Sequence, residues 1–461
     1  MVLEQILAAK RRRRPGVAPG TMGLPIAARE GAGLRDALQR PWPTFILECK
    51  AASPSAGVLI EHYDPAELAE QYEEIADAVS VLTEPEFFGG EISHLRQVSG
   101  VTRVPVLRKD FILGPDEVLE ARAHGADAVL LMLSVLDDAR WRACYEVAQK
   151  LGMDTLTEIH DEAELERAIR IEAPIIGINN RNLKTLALDL AVTERLAPQI
   201  PAERRVVSES GITSREQIAR LAPLVDGFLI GTGLSRGGRP GHVARRLIFG
   251  RVKVCGLTRP EDAAMAWRRG AVMGGLIFAP DSPRRIAIAR AREIRAAAPL
   301  EWIGVFRDQA LEEVAATAAL LRLTAVQLHG REDGKYAGRL RELLPAKCEI
   351  WKAVAGRPPL PQPEAWRADR LLLDTGRDGV LGGSGLVFAG AALAGTDLSR
   401  CVLAGGIGRE NVLVARHLEP WAIDVNSGVE ASPGIKDEAR LFTLMQTLRG
   451  APGRRRLDGD K

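Results

Sequence analysis

The first chemically suggestive stretch is Glu48-Cys49-Lys50. If it closes a β-strand, two-residue alternation points Glu48 and Lys50 to one face and Cys49 to the other. An acid and a base facing a core are costly unless paired or used. Lys109-Asp110, Glu158, Asn179-Asn180-Arg181 and Glu209-Ser210 stand at the ends of four further apolar runs. One such group alone would read as a buried structural ion pair. Five converging strand ends read instead as an acid–base site. Ser210-Gly211-Ile212 and Gly231-Thr232-Gly233 follow two of the runs, and glycine there lets backbone N–H groups come close to a phosphate. The stretch from Gly231 imitates a dinucleotide GxGxxG, but Arg236 stands in place of the last glycine. It also follows an eighth strand, not the first of a nucleotide-binding unit, so that reading is rejected.

The second half carries a different set. Its first run ends at Cys255, followed by Gly256, and its sixth ends at Asp374. Its seventh and eighth lead into Ala404-Gly405-Gly406 and Asn426-Ser427-Gly428, a second phosphate pair, and Gly382-Gly383-Ser384-Gly385 is another anion-friendly loop. Cys255 alone would read as a small core residue. Facing an acid across a phosphate-binding mouth, it becomes a general base with Asp374 as its acid. Arg284, in Ser282-Pro283-Arg284, would suit a substrate carboxylate. The seven histidines form no HxH or HExxH pattern. His160 beside Glu158 hints at a metal, but no further ligand lies at usable spacing, so no metal is expected.

These residues need elements to hold them. Short apolar runs cover 44–50, 79–83, 104–109, 128–133, 154–159, 175–179, 206–210 and 227–231 in the first half. Amphipathic stretches such as 65–75, 115–124 and 162–171 lie between them, after a helical N-terminal segment. The second half repeats the plan at 251–255, 274–278, 302–306, 325–328, 350–353, 370–374, 401–404 and 421–426. Alternating strand and helix predicts a parallel sheet covered on both faces. Eight strands, reached twice, predict two consecutive (β/α)8 TIM barrels rather than an open doubly wound sheet, which usually stops nearer about six strands. The boundary falls near Gly250: one barrel over 1–250, a second over 251–453, and a frayed tail over 454–461. The basic run Arg11–Arg14 reads as a solvated helix face.

Composition narrows the class. The chain of 461 residues is 46% hydrophobic and 26% charged, enough apolar material for packed cores. With 62 Lys and Arg against 60 Asp and Glu, the formal charge of +2 offers no global attraction to nucleic acid or anionic lipid. Five dispersed cysteines without a CxxC predict a reducing compartment. No apolar run reaches the roughly 18 residues of a membrane span. The basic run follows the short N-terminal apolar stretch, the wrong order for a signal peptide. A cytoplasmic monomer is expected, with neither membrane nor nucleic-acid partner.

Several motifs in fixed order then resemble known enzymes. Glu48-Cys49-Lys50-Ala51-Ala52-Ser53-Pro54-Ser55, Lys109-Asp110-Phe111, Gly177-Ile178-Asn179-Asn180-Arg181-Asn182-Leu183 and Ser208-Glu209-Ser210-Gly211-Ile212 resemble indole-3-glycerol phosphate synthase. Lys253-Val254-Cys255-Gly256-Leu257-Thr258, Val326-Gln327-Leu328-His329-Gly330, the 382–385 loop and Ser432-Pro433-Gly434-Ile435-Lys436-Asp437 look like phosphoribosylanthranilate isomerase. Their order resembles the fused bifunctional enzyme of bacterial tryptophan biosynthesis. There are departures: the family often has lysine where this chain has Ala51 and Ala56, and tends to show Phe-Asp-Trp where Phe388-Ala389-Gly390 stands.

The resemblance implies that the second barrel acts first, by an Amadori rearrangement with Asp374 as acid and Cys255 as base. Cys255 must then be a thiolate, so its pKa is expected below the free value of about 8.5. The first barrel then closes the indole ring with loss of carbon dioxide and water. Lys109 would be the general acid and Glu158 would serve dehydration. Lys50, paired with Glu48, would steer the substrate carboxylate, and Asn179, Arg181, Glu209 and Ser210 would position substrate. Ser53, Gly211, Gly231 and Thr232 in the first barrel, and Gly383, Gly405, Gly406, Ser427 and Gly428 in the second, would hold phosphate. The substrates are small and phosphorylated, and no cofactor is expected, since the substrate's anilino nitrogen supplies the iminium. Two other readings are a histidine-pathway aminoaldose isomerase in the second half, which would rely on paired aspartates, and a binding protein with one decayed barrel.

Overall fold

A computed structural model describes residues 2–13, 33–235, 239–356, 359–374, 393–450 and 454. The chain divides into two compact units, Met1–Leu247 with Gly450–Lys461, and Ile248–Arg449. Against the expected boundaries, the division thus falls three residues earlier. Arg454, the one described residue of the 454–461 stretch, donates to the Arg204 carbonyl at 3.2 Å and to the Ile200 carbonyl.

Parallel strands buried on both faces read as near-continuous apolar runs, as in Phe45-Ile46-Leu47 and Ala128-Val129-Leu130-Leu131. In the first unit the strands are β1 Thr44–Cys49, β2 Ala78–Leu82, β3 Val106–Lys109, β4 Ala128–Met132, β5 Asp154–Ile159, β6 Ile175–Asn179, β7 Arg205–Glu209 and β8 Gly227–Ile230. In the second they are β9 Val252–Val254, β10 Met273–Ile277, β11 Glu301–Phe306, β12 Ala325–Leu328, β13 Glu349–Ala355, β14 Arg370–Asp374, β15 Cys401–Leu403 and β16 Ala422–Val425. Each set closes on itself, β1 pairing with β8 and β9 with β16. The fold is therefore two consecutive (β/α)8 TIM barrels, with every strand within two residues of its expected position.

Alternation sorts each barrel interior into layers. Ile46, Leu107, Leu156, Ile175, Val207 and Leu229 share one apolar cluster. Residues two or four positions further along the same faces are Glu48, Lys50, Lys109, Glu158, Asn179, Glu209 and Gly231. The second unit repeats the plan. Ile303, Ala325, Leu372, Val402 and Ala422 pack together, and the same faces lead on to Val305, Gln327, Asp374, Ala404 and Asp424. The lower layers exclude water and supply the core, while the upper layer, toward the C-terminal strand ends, is left for chemistry.

Three local features depart from the sequence reading. Two-stranded hairpins form in loops, Ala52–Ser53 with Gly57–Val58 and Glu430–Ser432 with Ile435–Lys436. After β13 the expected α-helix is replaced by a 3₁₀ turn, Pro363–Trp366. Pro359, Pro361 and Pro363 precede or open it, and proline withholds the N–H groups a longer helix needs. The N-terminal helix, α1 (Val2–Arg13), buries Ile6 and Ala9 against the first barrel. Its basic end is not wholly given to solvent. Lys10 pairs with Asp110 at 2.5 Å and Glu117 at 3.0 Å, and Arg13 with Glu84 at 3.4 Å and with Glu86.

Candidate active sites

The mouth of the first barrel holds a cavity of about 340 Å³, bordered by Glu48, Lys50, Ser53, Lys109, Glu158, Asn179, Arg181, Ser210, Gly211, Gly231 and Thr232. Glu209 lies beside them, buried, through its contact with Lys109. Closure of the sheet thus gathers the charged strand ends at one place. Lys50 Nζ lies 2.7 Å from Glu48 Oε1 and donates to Thr232 Oγ1 at 2.9 Å, joining the first strand end to the loop after the last. A Cβ at Gly231 would meet the ends of both the Glu48 and Lys50 side chains, so the pair would have to move to admit one.

Lys109 stands between two carboxylates, 3.1 Å from Glu158 Oε2 and 3.1 Å from Glu209 Oε2. One ammonium cannot neutralise both in a buried setting, so their proton affinities separate. Burial raises Glu158, but Lys109 and His160 outweigh it and hold this carboxyl below its usual range. Glu209 is pushed up to about 7 by burial, with Lys109 opposing and Glu158 adding to the rise. Lys109 itself is lifted above the ordinary lysine range: burial lowers it, and Glu158 and Glu209 more than compensate. The site therefore holds Lys109 protonated and Glu158 ionised, with Glu209 able to exchange its proton near neutrality.

Asp110, adjacent in sequence, serves a different purpose. Its carboxylate binds Thr83 at 2.7 Å, Arg108 at 2.9 Å and Lys10 of α1. His160, weighed as a metal ligand, instead bridges Glu158 at 3.3 Å and Glu164 at 3.0 Å. Burial works against its charge, yet these carboxylates push its pKa up to about 10. In the β7 loop, Ser210 sits at φ 65° and Gly211 at φ 86°. The serine carbonyl accepts from Asn180 Nδ2 at 3.1 Å, which holds this left-handed turn in place.

The second barrel opens on its own cavity of about 320 Å³, bordered by Cys255, Arg284, Asp374, Gly405, Gly406 and Ser427. Gly428 is not on its border; it packs against the Ile407–Gly408 backbone, where a Cβ would clash with the Ile407 carbonyl. Gly383, with the rest of the 382–385 loop and Phe388-Ala389-Gly390, lies outside the described residues. Against the expectation of a low Cys255 pKa, the groups around the thiol push in both directions. Burial pushes the thiol up and Asp424 adds to this, while Lys253 and Lys436 pull down without overcoming it. Arg284 borders the cavity, but Nε lies 2.9 Å and Nη2 2.7 Å from opposite oxygens of Glu430. Two of its three nitrogens are thus already engaged by a carboxylate of the chain itself.

Sequence reasoning passed over Lys253 and Asp424, which are buried within this site, and gave His329 no role. The signal was available: Lys253 precedes Cys255 by two residues, as Glu48 precedes Lys50, and Asp424 precedes Asn426 by two. His329 borders the same cavity and is held neutral, its pKa lowered to about 3 by burial and by Lys253, Lys352 and Arg307.

Fold and sites together define a pair of acid–base enzymes, each built at the mouth of its own barrel. The family model described as indole-3-glycerol phosphate synthase matches residues 10–247, and that described as N-(5'-phosphoribosyl)anthranilate isomerase matches residues 252–447. The tryptophan biosynthesis protein TrpCF of Yersinia pestis is 47% identical over 90% of this chain and 86% of its own length. Its counterpart in Salmonella typhi is 45% identical over 90% of this chain and 91% of its own. A crystal structure of phosphoribosyl anthranilate isomerase from Thermus thermophilus is 40% identical, covering 43% of this chain and 98% of that one, with a TM-score of 0.38. The chain belongs to the bifunctional tryptophan-biosynthesis enzymes, in which an indole-3-glycerol phosphate synthase barrel is joined to a phosphoribosylanthranilate isomerase barrel.

Proposed function

We propose that the two activities divide by cavity, with the isomerase chemistry at Cys255 and Asp374 and the synthase chemistry around Lys109. In the second barrel Asp374 gives a proton to the ribose ring oxygen. The C1′–O bond breaks as the anilino nitrogen forms an iminium. Cys255 takes the proton from C2′ in its thiolate form, the form that Lys253 and Lys436 favour, and the electron pair moves toward the iminium to leave an enaminol. Return of a proton at C1′ and loss of the C2′ hydroxyl proton give the ketone of 1-(2-carboxyphenylamino)-1-deoxyribulose 5-phosphate.

In the first barrel the carboxyl-bearing ring carbon attacks that ketone, and Lys109 protonates the carbonyl oxygen as the carbon–carbon bond forms. Carbon dioxide leaves with restoration of the aromatic ring. The new hydroxyl then takes up a proton from solvent and departs as water, while Glu158, kept ionised, accepts the proton lost from C1′. Lys50 and Arg181 counter substrate charge, and Ser53, Gly211, Gly231 and Thr232 surround the phosphate. In the second barrel Gly405, Gly406 and Ser427 do the same. A cytoplasmic monomer acting on small phosphorylated molecules, without a nucleic-acid partner, fits the +2 charge and the five free, buried cysteines.

The observation that carries this reading is the 3.1 Å placement of Lys109 against Glu158 within a cavity separate from that of Cys255. The test uses one substitution in each barrel. Cys255→Ala should erase isomerase activity and leave synthase activity intact when the ribulose intermediate is supplied directly, and Glu158→Gln should do the reverse. Sites that share no residue are expected to behave independently. Severalfold loss of synthase turnover in Cys255→Ala, with unchanged far-UV circular dichroism, would defeat the division.

A further inference from the structure

Lys253 is fully buried inside the second barrel, two residues before Cys255 on the same face of β9. Its ammonium reaches three acceptors, two on other strands and one on the residue just after β9. Nζ donates to Asp424 Oδ2 of β16 at 2.7 Å, to Gln327 Oε1 of β12 at 2.9 Å and to Cys255 Sγ at 3.2 Å. A lysine ammonium has three N–H donors and no acceptor. The three contacts therefore use every donor, and one of them is aimed at sulfur. Gly275 of β10 leaves the space for that sulfur, since a Cβ there would lie 2.6 Å from Sγ.

A buried ammonium must place all three of its donors, and the carboxylate and the amide take only two of them. Here a third donor is spent on a thiol, a weak acceptor when protonated and a strong one when ionised. We infer that Lys253 is a positioning residue for the isomerase reaction: it orients Cys255 Sγ and stabilises its thiolate, and Asp424 sets how strongly it does so. This inference rests on Cys255 being the base. The charged groups facing Sγ are Lys253 on its own strand, Asp424 on β16, Lys436 in the hairpin after β16 and Arg284 in the loop after β10. Asp374, Arg307 and His329 border the same cavity. Burial and Asp424 push the thiol up, and the two lysines are the groups that oppose them.

The chemistry is balanced within the substrate. As the C2′–H bond breaks, an S–H bond forms on Cys255, and the electron pair passes to the substrate iminium. Lys253 keeps its proton and moves from a thiolate partner to a thiol partner, and Asp424 holds it in place through the change.

The experiment reads the acid limb of isomerase kcat/KM against pH in wild type, Lys253→Met and Asp424→Asn. Alongside it, the rate of Cys255 alkylation by iodoacetamide is followed against pH by mass spectrometry. A cation lost from beside the thiolate should move both profiles to higher pH, by about one to three units. Removing the carboxylate that offsets that cation should move both to lower pH. Opposite displacements are the expected result, since loss of a merely structural pair would reduce activity in both variants without displacing the limbs in opposite senses. Unmoved limbs, or limbs displaced in the same direction, would overturn the role of Lys253. If Lys253→Met fails to fold, the alkylation profile of Asp424→Asn decides alone. Cys255→Ala separates the two levels of the argument: retained isomerase activity there removes the base assignment itself, whereas lost activity there with unmoved limbs elsewhere removes only the inference about Lys253.

Discussion

Arg284 and Glu430 are joined by a two-pronged ion pair, with Nε 2.9 Å from Oε1 and Nη2 2.7 Å from Oε2. Glu430 also receives Lys436 Nζ at 2.8 Å and the Gly434 N–H at 3.0 Å, so the arginine is anchored to the hairpin that follows β16. The side chain expected to grip a substrate carboxylate is therefore itself gripped, and its planar fork is what fits it to this partner.

Arg284→Lys should accordingly release the hairpin contact as well as weaken substrate capture. A lysine cannot reproduce the fork, and the isomerase KM should rise about tenfold, equivalent to about 1.4 kcal/mol. Synthase kinetics should stay as in wild type. An unchanged isomerase KM would reduce Arg284 to a structural tie.

Lys109→Ala removes the ammonium shared by Glu158 and Glu209. Loss of a positioned acid or base typically costs about 10²–10⁴-fold in rate, and synthase turnover should fall by that much with isomerase turnover retained. Near-normal synthase activity in the folded variant would exclude Lys109 as the acid for ring closure.

Glu209 yields a prediction with a definite sign. Its folded pKa of about 7 lies above the ordinary glutamate value of 4.5. A raised carboxyl contributes stability below the unfolded pKa and loses it as pH rises through the folded one. Wild type should therefore lose this contribution between about pH 4.5 and 7, and Glu209→Gln should not. The difference in urea midpoint, variant minus wild type, should grow across that window. A flat difference would show that Glu209 ionises normally.

Thr232→Glu tests phosphate capture beside Lys50. The threonine hydroxyl lies 2.9 Å from Lys50 Nζ. A carboxylate there would occupy the lysine and repel a phosphate, so the synthase KM should rise at least about tenfold with the fold intact. An unchanged KM would place the phosphate away from the loop after β8.

Much of this molecule was legible in the amino-acid order because the informative patterns are local. Apolar runs mark the strands, two-residue alternation puts Glu48 with Lys50 on the inner face, and the last residue of a strand must sit at a barrel mouth. Eight runs counted twice were enough for two barrels. The same logic was open for Lys253, which shares a face with Cys255. It was missed because a lysine in an apolar strand gives no sign of its partner.

Partners were decided only by closure of the sheets. Lys50 meets Thr232 across 182 positions and Lys253 meets Asp424 across 171. No local spacing encodes such pairs; they follow from the register in which the eighth strand returns to the first. Closure also decided charge. It set Lys109 between two carboxylates, so that one stays ionised and the other holds its proton to about pH 7. It buried Cys255 deeply enough to raise its pKa despite a neighbouring ammonium. It turned Asp110 away from its neighbour Lys109 and toward α1. The chain order by itself determined the residue types and the faces they occupy. The tertiary structure alone determined which charges share a buried volume, because desolvation and Coulomb energy depend on distance through space and not on distance along the chain.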